Sequence, residues 1–313
     1  LNFTQTLNTV TKPLIISTSG SLLNPSILSY KGKLYVNIRS CQYVLHHAEK
    51  LRFPHRFGPL VYLNPENDVS LRSVNYLCEL DDSLNIVSSK KIDTSSFDTP
   101  PAWNFIGLED CRLVCWDDKL YLCGVRRDTK SNGEGRMELS EICVKSGREL
   151  SRVRIPAPAP NTSYCEKNWM PILDSAYTWL KWSNPVEIVT YDGSVTKTTM
   201  LGDAAQFSRD LRGGGQVIPF KDGYLSLCHV TYLYRSETAK KNAVYKHKFV
   251  HYNKDWEVVS SSDEFSFMGA DIEFAAGLAQ KDDRILVTFG FQDNAAFISS
   301  TPLTTLEALL CNN

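Results

Sequence analysis

Short apolar runs alternate with polar turn residues along most of the chain, and that period of two predicts strands. Lys33-LYVNI, Lys119-LYLCGV, Tyr224-LSLCHV and Arg284-ILVTFGF alternate or run apolar over strand lengths. Turn chemistry precedes each, at Lys31-Gly-Lys, Asp117-Asp, Lys221-Asp-Gly and Lys281-Asp-Asp. Val74-NYLCEL, Ile188-VTY, Phe249-VHY and Trp256-EVVS predict further strands between them. Helical periodicity is confined to the end of the chain. There Thr301 reads as an N-cap and Pro302 as a first-turn proline, opening a short helix over Leu303–Leu310.

The strand pairs recur as one unit. Five passages share a polar residue or glycine, an apolar run, a turn and a second apolar run: 24–39, 109–126, 166–181, 212–229 and 274–293. Their starts lie roughly 50 to 85 residues apart, enough for one four-stranded sheet each, which favours a β-propeller over a sandwich. The expected architecture is all-β: residues 1–313 as a single five-bladed β-propeller domain with a short C-terminal helix. The long first interval implies an insertion, and Leu45–Asp68, rich in His, Arg, Pro and Asn, is its candidate, a loop over one face. Arg154–Asn161 (RIPAPAPN) reads as a non-strand connection, because proline cannot donate to a ladder.

Composition narrows the partners. A net charge of -1 argues against a nucleic-acid binder. No run approaches the roughly 18 apolar residues of a membrane helix, and LNFTQTLNTVTK lacks the pattern of a secretory leader. The chain does not begin with Met, so a processing boundary, or excision from a larger protein, stays open. Nine cysteines without zinc-type spacing predict buried free thiols in a reducing, cytoplasmic setting. No cofactor and no metal are expected. His46-His47 is a lone pair on the expected loop.

In a propeller the inner strand ends converge on one pocket, and four of the five second runs end at a cation: Arg39, Arg126, Lys181 and His229. Asp110, beside Glu109, is the best acid, able to protonate a leaving glycosidic oxygen if burial or its neighbour raises its pKa. A turn cap or a salt-bridge partner for Arg112 is the structural alternative. Lys167, Arg212 and His229 facing one channel would repel each other unless an anion sat among them, and phosphate or diphosphate suits them. The backbone N–H groups of Gly213-Gly214-Gly215 could approach that anion, though such a run also serves as a turn before a strand. Among Trp103, Trp169, Trp182, Tyr232 and Phe291, Trp169 is the one expected to stack on a sugar, since it follows Lys167-Asn168.

These residues reach a family. Gly107-LEDCR-Leu113 is similar to a Glu-Asp-Pro-Arg motif, with Cys111 in the proline's place. Glu166-KNWMP-Ile172, Arg212-GGGQVIPFKDGYLSLC-His229, Phe274-AAGL and Phe289-GFQD-Asn294 follow in the right order. Over about residues 24–300 the chain resembles the five-bladed β-propeller β-mannoside phosphorylases and hydrolases and their related mannosyltransferase/phosphorylases. Val230 and Ala275 are further departures from the family pattern. The resemblance implies Asp110 as general acid of an inverting reaction, its proton relayed through a sugar hydroxyl. It implies Lys167, Arg212 and His229 on the phosphate side with Lys181 near, and Arg39 and Asp293 holding the sugar. Glu109, Asn168 and Trp169 complete the expected sugar contacts.

The expected activity is making or breaking a β-mannosidic bond by inverting transfer to or from phosphate. A hydrolase would need a second carboxylate as base, and the cations favour an anionic reactant. The substrates would be a glycan with phosphate, sugar-1-phosphate or a nucleotide sugar. A transferase using a donor such as GDP-mannose, and a non-catalytic glycan-binding propeller, are the alternatives. A homo-oligomer is left open.

Overall fold

A computed structural model describes residues 1–6, 8–47, 60–63, 68–201, 210–235 and 241–311, with the backbone alone at 44–47, 60–63, 234–235 and 241–242. After a 3-10 turn at Phe3–Gln5 comes β1 (Val10–Pro13), whose partner is the last strand of the chain. The first meander contains β2 (Ser21–Tyr30) and β3 (Lys33–Cys41), a side hairpin of β4 (Val44–His47) and β5 (Leu60–Leu63), then β6 (Leu71–Leu80) and β7 (Ile86–Lys91). The short β8 (Phe105–Ile106) runs parallel to β6. The second meander is β9 (Leu108–Trp116), β10 (Lys119–Arg126), β11 (Arg136–Ile142) and β12 (Glu149–Arg154).

The third is β13 (Met170–Pro171), β14 (Thr178–Ser183), β15 (Val186–Tyr191) and β16 (Thr196–Leu201). The fourth is β17 (Arg212–Gly213), β18 (Ile218–Phe220), β19 (Gly223–Arg235), β20 (Lys241–Tyr252) and β21 (Val258–Ser261). The fifth is β22 (Glu273–Lys281), β23 (Arg284–Phe291) and β24 (Ala295–Pro302), completed by β1 and followed by the helix α1 (Leu303–Cys311). The third and fourth meanders form one nine-stranded sheet, joined between β14 and β17 by the single pair Trp182↔Arg212. Dividing the sheet at that pair gives five meanders among the described residues.

Packing arranges the meanders in a cycle. Leu28, Tyr35 and Leu77 of the first share an apolar cluster with Leu113, Leu120 and Leu122 of the second. Val114, Trp116 and Met137 carry the second onto Trp169, Trp179 and Val189 of the third. Leu180 and Ile188 meet Val217 and Cys228, and Leu225 and Phe249 meet Leu278 and Phe289. Ile27, Val36 and Ile38 then pack on Leu286 and Ile298, joining the fifth meander back to the first. This is an all-β architecture of the propeller type, each sheet face buried against the next.

The predicted turns hold where the backbone demands them. Lys31 and Gly32 have φ of 49° and 76°, and Asp117 and Asp118 have 51° and 61°. Such pairs of left-handed residues match the twist of a two-residue hairpin. No strand forms over the Pro-rich 155–161 segment. The expected loop at 45–68 includes the β4–β5 hairpin, and its remainder, at 48–59 and 64–67, lies outside the described residues. The side chains of His46 and His47 also lie outside them. Trp256 is a turn residue with φ 65°, so its strand begins at Val258. The helix is where it was expected, but Thr301 does not cap it. Thr301 and Pro302 still pair with Ile285 and Arg284 in the sheet, and Leu303 N–H donates to Asp283 O at 2.7 Å. All nine cysteines are unpaired.

One side chain sits where the meanders converge. Gln216, fully buried, donates through Nε2 to Ile27 O and Leu113 O at 2.7 Å each and accepts from Leu278 N–H at 3.0 Å. It thereby ties the fourth meander to the first, second and fifth. Gln216→Leu orphans three buried backbone groups at about 1–3 kcal/mol each. The expected loss is about 3 kcal/mol or more, read as a lower midpoint of urea unfolding.

Candidate functional site

A cleft of ≈ 630 Å³ opens where the inner strands end. Its polar wall comes from interruptions in otherwise apolar strands. Asn24, Asp110 and Asn168 stand at the starts of the first three inner strands, and each has a left-handed backbone, with φ of 44°, 50° and 63°. Asn and Asp tolerate that conformation best after glycine. The ladder shifts register between Leu23 and Ser26 and, opposite β9, between Cys123 and Val125. Bulges of this kind re-aim side chains, here into the cleft. Gly124 makes the second one possible, because a Cβ there would lie 2.5 Å from Glu109 O.

Asp110 is held across the seam between the first two meanders. Its Oδ1 accepts from Asn24 Nδ2 and from Arg39 Nη1, both at 2.7 Å. Arg39 also donates to Glu109 Oε2 at 3.1 Å, to Ser73 Oγ at 2.8 Å and to the Tyr43 hydroxyl at 3.3 Å. The two carboxyls therefore differ. Burial pushes Asp110 up, but Arg39, the Asn24 amide, Arg112 and Lys167 outweigh it and hold the group below the usual range. Burial pushes Glu109 above the usual range despite Arg39. The expected raised pKa thus falls on Glu109, while Asp110 stands ionised. Glu109 lies behind Asp110 and outside the cleft lining, with Oε1 buried and unpartnered among the described residues. Arg112 is no partner of the Asp110 carboxylate, since it donates to the backbone carbonyls of Asp110 and Gly214 at 2.6 and 2.7 Å.

Lys167, Asn168, Arg212 and His229 line the same cleft as Asp110. Lys167 and Arg212 are exposed and make no ion pair among the described residues. His229 does not join them as a cation. Burial first, then His247, Arg112 and Arg212, hold its pKa well below the usual value, so the ring is neutral. Its Nδ1 is buried and has no partner among the described residues. Asp293 lines the cleft with φ 45°.

Several expected contacts fall elsewhere. Lys181 pairs with Glu166 at 3.2 Å and Glu187 at 3.5 Å and lies outside the main cleft. Trp169 cannot stack on a sugar. The turn at Asn168 sends it into the core, where it is fully buried against Trp179 and donates to Glu166 Oε2 at 3.0 Å. Arg39 does line the cleft, but four of its five N–H donors go to protein groups, so it chiefly orients the carboxylates. Arg126 leaves the ring of strand ends to pair with Glu138 at 2.6 Å and Asp128 at 3.3 Å. Gly213, Gly214 and Gly215 have a packing role. A Cβ on each would meet Asn168 O at 1.8 Å, Leu227 O at 2.2 Å and Leu278 N at 2.8 Å, so glycine permits close strand approach.

The cleft also contains Tyr43, Asp210 and Tyr245, which the sequence reading passed over, and Phe274, read there only as the start of a repeat and motif. His229, Tyr245 and Phe274 pack edge to face, with centroids 5.0 to 6.5 Å apart. Asn24 was read only as the polar residue that opens the first repeat, and not as a site residue. Among the described residues no group of three His, Cys, Asp or Glu could hold a metal, and no helix is long and apolar enough to cross a membrane.

No family model matches the sequence, and no curated protein matches it. Solved structures do. A β-1,2-mannobiose phosphorylase from Listeria innocua, in complex with β-1,2-mannobiose, superposes with a TM-score of 0.52 at 13% identity, over 96% of this chain and 93% of its own. MPT-4, a mannose phosphorylase from Leishmania mexicana in complex with phosphate, gives 0.57 at 13% identity, over 97% and 90%. A glycosyl hydrolase from Bacteroides ovatus gives 0.60 at 10% identity, over 91% and 85%. The chain has their fold. At these identities the likeness speaks to the fold alone.

Arg39→Met tests the electrostatics. Removing one partner from a buried ion pair costs about 3–5 kcal/mol, and that loss is expected near pH 7. In wild type, the stability contributed by Asp110 is present above its unfolded pKa and lost as pH falls through its lower folded value. In the variant both carboxyls lack that cation, so each titrates higher than in wild type and sheds buried charge sooner. The gap between the two proteins therefore narrows as pH falls from about 7 towards about 4.5, which urea unfolding at the two pH values measures.

Proposed function

We propose that the protein is an enzyme that breaks or makes a β-mannosidic bond by inverting transfer to or from phosphate. The observation that carries the reading is the meeting, in one cleft, of a carboxylate clamped by Arg39 and two cations with no ion-pair partner among the described residues. The similarity in fold to a mannobiose phosphorylase and a mannose phosphorylase supports the substrate class.

In the breaking direction, a phosphate oxygen held by Lys167 and Arg212 attacks the anomeric carbon. The bond from that carbon to the glycosidic oxygen breaks, and the proton derived from Asp110 goes to the leaving oxygen, through a sugar hydroxyl as the family resemblance implies. The products are mannose-1-phosphate and the shortened acceptor. Asp110 is ionised in the resting cleft, which suits it directly as base for synthesis. For phosphorolysis, the charge of incoming phosphate offsets Lys167 and Arg212 and raises the proton affinity of Asp110. His229, neutral and with Nδ1 unpartnered among the described residues, is suited to a hydrogen bond with phosphate or a sugar hydroxyl.

Asp210 and Asp293 favour one second reading, a hydrolase. Either supplies a further cleft carboxylate of the kind water activation needs. Incubation with β-mannobiose decides between them. Mannose-1-phosphate formed only when phosphate is present is expected, whereas free mannose released without phosphate favours the hydrolase. Consumption of GDP-mannose in place of both points to the nucleotide-sugar transferase, and binding without turnover to a lectin. Asp110→Asn is expected to abolish turnover with the fold intact by circular dichroism, and unchanged turnover would remove the acid assignment. Arg212→Ala should raise KM for phosphate more than it lowers kcat.

A further inference from the structure

The walls of the cleft differ in chemistry with depth. β19 and β20 are the longest strands described, at 13 and 12 residues. In their ladder His229 faces His247, Thr231 faces Tyr245 and Leu233 faces Ala243. Side chains alternate faces along a strand, so His229, Thr231 and Leu233 share one face, and the cleft touches all three. From the floor outward that face passes from imidazole, through hydroxyls, to aliphatic carbon. Ile272, two residues before Phe274, continues the aliphatic surface on the neighbouring meander. Leu233 is 57% exposed, an apolar side chain on the lining of a cleft that also contains Asp110, Lys167 and Arg212.

A sugar seated at that mouth would gain no hydrogen bond from these aliphatic groups, whereas an alkyl chain there would remove apolar surface from water. The aromatic rings that could stack on a sugar face, Tyr245 and Phe274, lie deeper, against His229. We infer that the rim formed by Leu233, Ala243 and Ile272 receives an apolar aglycone, so that the preferred mannoside has an alkyl chain rather than a second sugar on its anomeric oxygen. This rests on the mannoside reading of the same cleft. The alkyl chain is the leaving group in phosphorolysis and the acceptor alcohol in synthesis, and the bond balance given above is unchanged.

A homologous series tests the rim separately from the chemistry. Methyl, propyl and hexyl β-mannosides are titrated into the protein by calorimetry, with β-mannobiose alongside. A fully buried methylene strengthens binding about fourfold, and at a half-open rim a rise of at least about tenfold from methyl to hexyl is expected. Hexyl mannoside should also bind more tightly than mannobiose, and Leu233→Asn should flatten the series. Since Leu233 is largely exposed, that variant is expected to fold. A flat series, tighter mannobiose binding, or a slope unchanged in Leu233→Asn overturns the rim. Turnover of the same compounds, with and without phosphate, reports on the function reading. A rising series without any turnover overturns the enzyme and leaves the rim standing. Turnover with a flat series does the reverse, and absence of all binding overturns both.

Discussion

The structure depends on how polar backbone is satisfied where the meanders converge. Inner strands meeting around an axis bring carbonyls and amides of different sheets together with no common ladder, and buried groups without partners are costly. Gln216 resolves this with one amide that bonds to Ile27, Leu113 and Leu278. Around it, Ser26 Oγ accepts from Leu113 N–H at 3.0 Å and Thr288 Oγ1 donates to Pro25 O at 2.6 Å. Gly214 and Gly277 keep the space narrow enough for these contacts, each leaving no room for a Cβ. These bonds tie the inner strands of different meanders to one another.

The clamp on Asp110 follows from the same convergence. Asn24 and Arg39 belong to the first meander and the carboxyls to the second, so the charge state of the acid depends on how the two are packed. Leu28 and Leu113 in the shared cluster hold that seam. Burial alone would have raised both carboxyls. One buried guanidinium, shared unequally, separates a carboxylate aimed into the cleft from a carboxyl kept behind it.

Much of the fold was legible in the sequence because strands and two-residue turns are local. Alternation gave the hairpins at 24–39, 109–126 and 274–293, and Lys31-Gly32 and Asp117-Asp118 gave their turns. The site was legible in its residue types and less so in its geometry. Asp110, Lys167, Arg212, His229 and Asp293 do meet in one cleft. Trp169 was misread because its neighbour Lys167 faces the cleft, and nothing local reveals that the chain reverses its facing at Asn168. Lys181 and Arg126 sit at the right period, yet Glu166, Glu187, Glu138 and Asp128 capture them, and such partners are decided by sheet packing. A lone glutamine beside three glycines looks like part of a turn, so the bonding role of Gln216 could not be seen before the meanders were assembled.

The pairing of β1 with β24 has a consequence for how the chain reaches this state. Thr11 Oγ1 meets Ser299 Oγ at 2.7 Å across 288 residues of sequence. During synthesis on the ribosome, β1 has no ladder to join until β24 has been made. The fifth sheet lacks its outer strand until then. Closing so long a loop adds only slowly growing entropy, but it postpones the contact. From the emergence of β1 until that of β24, therefore, the chain carries an unpaired segment at 10–13.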